Sequence, residues 1–364
     1  METNVEISNK QFKYIVALFL QGTLLYLTYF LQKGGRDTYI LFAVAAVGSL
    51  LIALLNSSFT KIYPGADITD IFTTVFGRIL GKILGCIYFI FFMYLCAFNL
   101  RQTGQFVATN LLSGHSWVLI VVIFVVVCLY AAGNGPEFFS YTGVIGCVAL
   151  LFMSAILLLC VLPHMEVDHF LPVMVQDYST YTDSIIFMLA IPFSEIFLLL
   201  MFSPCIKGGI KAGSYIKGIA IASVFIITSL IRIIAVFGPI VKSFSYPSFE
   251  LTHIINLSSS LSRVESIFSP FILFALFMRV AIMIYCISRL GVRIVGEKRR
   301  AAGFVPYIVS ALLVVLTVKI AGSNEELLEI MLDSFGYVAF AMLIVVPVVI
   351  YIVGRVKNDR VTSF

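Results

Sequence analysis

Apolar residues in this chain gather into ten runs of roughly 20 residues, each long enough to cross a bilayer as a helix. They lie at about 12–31, 38–57, 82–100, 116–132, 139–162, 183–205, 217–239, 267–289, 304–321 and 335–354. Three stretches between runs carry apolar residues at helical spacing instead, which predicts amphipathic helices lying on the bundle ends. The first follows Tyr63-Pro64-Gly65 and sets Ile68, Ile71, Phe72, Val75, Phe76 and Ile79 on one face. The second, within 246–266, does so with Leu251, Ile254, Leu257, Leu261 and Val264, and the third is the short acidic segment 325–331.

Ten spans divide into two sets of five, and because five is odd the second set must run opposite to the first. The pattern predicts one all-α transmembrane domain, residues 1–364, with an inverted repeat of about 12–162 and about 183–354. In transporter folds built this way, interrupted helices at corresponding places in the two halves form a midplane site. Span six is interrupted in sequence: Pro192 has no N–H, and its ring crowds the carbonyl one turn back. Span one offers Gln21-Gly22-Thr23 at the equivalent place, with Gly22 about ten residues, or ~15 Å, into the run.

Composition agrees with the pattern. The chain is 60% hydrophobic and 12% charged, with a mean hydropathy of +1.05, which excludes an ordinary soluble domain. The opening Met1 to Lys10 is polar without a small-residue cleavage pattern, so the first span is expected to direct targeting. With the N-terminus in the cytoplasm, sixteen Lys and Arg fall in inside segments and six in outside ones; this bias sets both termini inside. The seven cysteines fall in or beside apolar runs without a CxxC pair and read as packing residues. No His, Cys, Asp or Glu spacing matches a metal site, and no cofactor is indicated. The net charge of +5 belongs to membrane flanks and implies no nucleic acid.

Chemistry is confined to a few intramembrane polar residues. Glu195 and Arg279 each lie about twelve residues, or ~18 Å, into spans six and eight, which enter from the same side. An isolated charge at that depth costs ~3 kcal/mol or more, so each needs a partner. They either pair directly, bracing spans six and eight, or divide the two charges of a zwitterionic ligand. A break in span one frees N–H groups near Thr23 and Leu24 that suit a carboxylate. Carbonyls of Ala190 and Ile191 suit an ammonium, with Phe193 and Tyr94 as apolar walls. Arg232, nearer the outer surface, is expected to snorkel. There is no phosphate-binding glycine loop, nucleophile elbow or HExxH, and the carboxylate lacks a second acid at working spacing, so an enzyme is not expected.

These residues resemble the B subunits of spore nutrient germinant receptors, the endospore germination permease family. The resemblance rests on Ile7-Ser8 with Gln11, Gly35-Arg36-Asp37-Thr38-Tyr39-Ile40, Tyr63-Pro64-Gly65 with Gly81-Lys82, Leu100-Arg101-Gln102, Pro192-Phe193-Ser194-Glu195 and Arg263-Val264-Glu265-Ser266. The family pattern reads Pro-Phe-Gly-Glu, where this chain has Ser194. What the resemblance implies is a LeuT-like fold of the amino acid, polyamine and organocation transporter type with interrupted first and sixth helices, in the spore inner membrane. It further implies a complex with an A subunit and a lipoprotein C subunit, and a small nutrient ligand such as an amino acid or sugar. Carried over by position, the ligand contacts would be Gly22 and Thr23, Pro192 to Glu195, Tyr94 or its neighbour Phe91, and Arg279. The same broken helices would serve an amino acid secondary transporter equally well.

Overall fold

A computed structural model describes residues 6–255, 265–296 and 300–362, and among them the regular elements are helices joined by loops. The first apolar run forms α1 (Asn9–Gln21) and α2 (Leu27–Gly34), joined by a break at Gly22–Tyr26, and α3 (Thr38–Ile62) follows. Next come a surface helix α4 (Ile68–Phe76), then α5 (Arg78–Phe106), α6 (Trp117–Gly133) and α7 (Gly135–Val161). Span six is divided into α8 (Tyr178–Ala190) and a 3-10 helix over Phe193–Cys205. The remainder is α9 (Ala212–Phe237), α10 (Pro247–Ile254), α11 (Glu265–Val295), α12 (Val305–Lys319), α13 (Asn324–Ile330), α14 (Gly336–Phe340) and α15 (Val346–Thr362). Among the described residues eight continuous helical runs are long and apolar enough to cross a membrane, the first of them spanning Asn9–Ile62, and Trp117–Gly133 is a shorter apolar helix. All ten apolar runs of the sequence fall on these helices.

Several spans carry large aliphatic residues on exposed outer faces and small or polar residues among their buried ones, as expected where the surrounding solvent is lipid. On α3, Ala45, Ser49, Ile52, Ala53 and Asn56 are buried, whereas Val47, Leu51 and Leu54 are exposed. The interruptions lie in the buried interior, where non-helical backbone is tolerated. The 3-10 segment of thirteen residues is far longer than the usual three or four.

Both ends of the described chain lie at one end of the bundle. The Ile7 N–H donates to Cys205 O at 2.8 Å, Asn9 Nδ2 donates to Gly209 O at 3.0 Å, and Lys357 Nζ reaches Thr74 O at 3.2 Å. At the opposite end the segments around 162–177 and 238–255 cover the spans. There Asp37 accepts from the Met174 N–H at 3.0 Å and the Tyr181 hydroxyl at 3.1 Å, and Thr28 Oγ1 donates to Ser245 O at 2.7 Å.

The amphipathic helix after Pro64 forms, but it ends sooner than its spacing predicts. Ile68, Ile71, Phe72 and Val75 are buried on α4, while Ile79 is 77% exposed on α5. The cause is Gly77, whose φ of +83° reverses the chain at a cost most other residues would not tolerate. In the 246–266 stretch Leu251 is buried and Ile254 half-buried on α10; Leu257, Leu261, Arg263 and Val264 lie outside the described residues. The acidic segment forms α13, with Leu327 buried and Ser323 capping its first turn.

Asp67 closes a capping box with Asp70 at the start of α4 and also accepts from Arg293 Nε at 2.6 Å. Burial, and then the neighbouring Asp70 carboxylate, hold the Asp67 carboxyl above the usual aspartate range, with Arg293 pulling it back. A raised folded value means that its stabilising contribution is complete below the unfolded value and fades as pH rises through the folded one. Asp67→Asn, which still caps, should flatten that pH dependence of melting temperature, whereas Asp67→Ala should also lose about 1 kcal/mol of capping.

Candidate ligand-binding site

The two helix interruptions meet at one side chain. Arg279, fully buried on α11, donates from Nε to Asn99 Oδ1 at 2.7 Å and from Nη1 to the Phe19 carbonyl at 3.0 Å. Its Nη2 forms an ion pair with Glu195 Oε2, also fully buried. The guanidinium carbon lies 4.7 Å from the Phe19 ring centroid and 5.4 Å from that of Tyr26. One cation therefore ties together spans one, three, six and eight.

Local backbone chemistry explains each partner. In an unbroken helix the Phe19 carbonyl would accept from the Thr23 N–H. Here the Thr23 N–H turns back to Leu20 O at 3.1 Å, and its hydroxyl donates to the same oxygen at 2.6 Å. The Phe19 carbonyl is thereby freed and faces the guanidinium. Asn99 spends its amide N–H on Leu95 O at 2.9 Å, which turns its oxygen toward Arg279. Gly22 permits the approach, because a Cβ there would stand 2.5 Å from Arg279 Cβ and 2.7 Å from Ala275 O.

At the second break Ile191 is extended, with φ −132° and ψ 115°, and the Ile191–Pro192 peptide is cis. Ser194 Oγ donates to the Leu189 carbonyl at 2.6 Å. The serine that departs from the Pro-Phe-Gly-Glu pattern thus supplies a side-chain donor to a carbonyl beside the interruption. Ser194→Gly and Ser194→Ala should each lower stability by about 1–3 kcal/mol, the cost of an unsatisfied buried acceptor, and Ser194→Thr should preserve it; thermal unfolding in detergent measures all three.

The structure brings Gly22, Thr23, Pro192, Ser194, Glu195 and Arg279 to this cluster and sends other expected residues elsewhere. Phe91 and Tyr94 stack on Phe335, with centroids 6.0 and 5.4 Å away. At about 100° per residue Tyr94 points about 140° away from Asn99, whereas Phe91 lies about 80° from it. Phe193 packs on Phe42 of α3 at 5.0 Å. Leu24 lines a separate cleft beside Arg232, and the Thr23 N–H is engaged by Leu20 O. Ala190 and Ile191 are buried at the break. Arg232 does not snorkel: it is 4% exposed and bonds inward to Ser154 and Ser229. Asn99 lies outside the set expected from sequence, although with Gln102 and Thr103 it forms a polar stripe at the end of an apolar run that carries that signal.

Among the described residues no three His, Cys, Asp or Glu side chains converge as metal ligands. Within the cluster, Glu195 Oε1 and the Tyr26 hydroxyl have no hydrogen-bond partner among them. The guanidinium is met by Asn99 Oδ1, the freed Phe19 carbonyl and Glu195 Oε2.

A family model described as a spore germination protein matches residues 6–325. No curated protein matches the chain. Among solved structures it is similar to a variant of the manganese transporter of Eremococcus coleocola, with 14% identity and a TM-score of 0.53 over 98% of this chain and 88% of that one. The same transporter in complex with an aromatic bis-isothiourea substituted compound is 16% identical, also with a TM-score of 0.53 and the same coverage of both chains. The likeness is one of fold: a LeuT-like helical bundle of the transporter type.

Proposed function

The chain belongs to the spore germination permease family, and from that premise we propose that it is the nutrient-sensing subunit of a germinant receptor in the spore inner membrane. In this reading both termini face the spore core, the two halves of the single domain are an inverted repeat, and A and C subunits complete the receptor. The ligand is a small zwitterionic nutrient, most simply an amino acid.

The observation that carries the proposal is the fully buried Glu195–Arg279 pair at the meeting point of both interrupted helices. Taking one partner away from such a pair is strongly unfavourable, because it strands a buried charge. A zwitterion removes that obstacle: its carboxylate takes the place of Glu195 on Arg279 while its ammonium neutralises Glu195. Binding would then exchange one paired arrangement for another with the spans further apart. A ligand shifts such an equilibrium only through its differential affinity for the two states, and the closed cluster offers a zwitterion no room until the spans part.

Exchanging spans one, six and eight with those of a relative that answers a different nutrient tests the site. Germination preference should follow the exchanged spans; an unchanged preference refutes the assignment. The transporter-like fold favours a second reading, an amino acid permease using the same site. Accumulation of labelled amino acid in proteoliposomes of the isolated chain would establish that reading in place of pure sensing. Manganese is not proposed as cargo, since no three His, Cys, Asp or Glu side chains converge among the described residues.

A further inference from the structure

A second buried arginine lies away from the central cluster and, unlike Arg279, has no counter-ion among the described residues. Arg232 sits on α9 five residues before the helix end, at the wall of a cleft between spans one, five, seven and eight and beneath α10. Its Nη1 donates to the Ser154 carbonyl and to Ser154 Oγ at 3.1 Å, and its Nη2 to Ser229 Oγ at 2.8 Å. All these partners are neutral. Among the described residues Nε has no partner, nor does Ser248 Oγ, which lines the same cleft from α10.

A guanidinium presents five N–H donors and stays protonated in proteins, so about two donors and a full positive charge remain unanswered. No carboxylate among the described residues pairs with it, and residues 256–264, which follow α10, contain no acidic side chain. A buried charge is ordinarily retained only with a partner of opposite sign. Apart from Thr252, whose hydroxyl donates to Phe249 O, the rest of the wall is apolar, including Leu24, Phe225 and Ile272.

We propose that this cleft binds one oxyanion, a carboxylate or phosphodiester, carried on an apolar body. The oxyanion would accept from Arg232 Nε and the Ser248 hydroxyl while the apolar body fills the space against Leu24 and Phe225. Such a ligand comes from solution as an amphiphilic carboxylate or from the bilayer as an anionic lipid. The site touches span one within its interruption, through Leu24, and is independent of the nutrient reading above.

The test uses the full chain in a nonionic detergent, with unfolding temperature followed against octanoate, dioleoyl phosphatidylglycerol, and the neutral controls octanol and dioleoyl phosphatidylcholine. One or both anions should raise the unfolding temperature in a saturable way, and the controls should not. Arg232→Met should weaken that binding by about thirtyfold or more, the usual consequence of truncating one partner of a buried charge pair. Ser248→Phe, which fills the cleft and keeps the guanidinium, should abolish it and carries the test if Arg232→Met fails to fold. A response to octanoate identifies a soluble carboxylate, and a response to phosphatidylglycerol alone identifies a lipid. Failure of both anions to stabilise the chain beyond the controls, or an undiminished response in Ser248→Phe, overturns the proposal.

Discussion

Arg279→Met is expected to lower the stability of the folded chain by about 3–5 kcal/mol, the cost of leaving a buried charge without its partner. Glu195 would be stranded with both oxygens unpaired, and the Phe19 and Asn99 oxygens would lose their donor. The paired substitution Glu195→Leu with Arg279→Met should recover most of the loss, because apolar replacement of a whole buried pair is often neutral or better. Thermal unfolding of the wild type and both variants measures this directly. The same proteins separate bracing from binding. If the pair only braces spans six and eight, the stable double variant should restore germination with the fold. If it receives the nutrient, the double variant should fold and remain unresponsive. Rescue of the response would refute the ligand role.

Gly22→Ala is expected to destabilise by about 1–3 kcal/mol, the range for overpacking a tight interior. The added methyl would meet Arg279 Cβ at 2.5 Å and Ala275 O at 2.7 Å. Neither is the tip of a flexible side chain, so spans one and eight must part, which draws Phe19 O away from Arg279 Nη1. Gly85→Ala is the matched control. Its methyl would meet Ile294 no closer than 3.7 Å, and alanine is the better helix former by about 1 kcal/mol. Gly22→Ala should therefore melt lower than wild type and Gly85→Ala the same or higher. Equal behaviour of the two would show that the close approach of spans one and eight is unimportant.

Much of this arrangement was legible in the chain. Apolar run length placed the helices, Pro192 and Gly22 marked both interruptions, and equal depth from the same side brought Glu195 and Arg279 together. What could not be read follows from physics that side-chain patterns do not carry. The Phe19 oxygen is a site atom because the Thr23 N–H turns back to Leu20, and any residue at position 19 would offer the same carbonyl. An apolar stretch such as 193–205 is equally compatible with α and 3-10 winding. Tyr94 is expected at the site by depth and Phe91 by the family resemblance, whereas both rings pack on Phe335. Ser194, where the family pattern has glycine, donates its hydroxyl to the Leu189 carbonyl, a contact that the pattern of run lengths does not carry.

The pairing of Glu195 with Arg279 also has an electrical meaning. Carrying one elementary charge across a bilayer changes its energy by about 2.3 kcal/mol per 100 mV. Two opposite charges that move together carry none, so the membrane voltage exerts no net pull on the intact pair. A rearrangement that draws the two apart along the bilayer normal creates a dipole that the field does act on. The intact pair thus adds nothing to any response of the bundle to membrane potential, and its separation would be felt as a gating current.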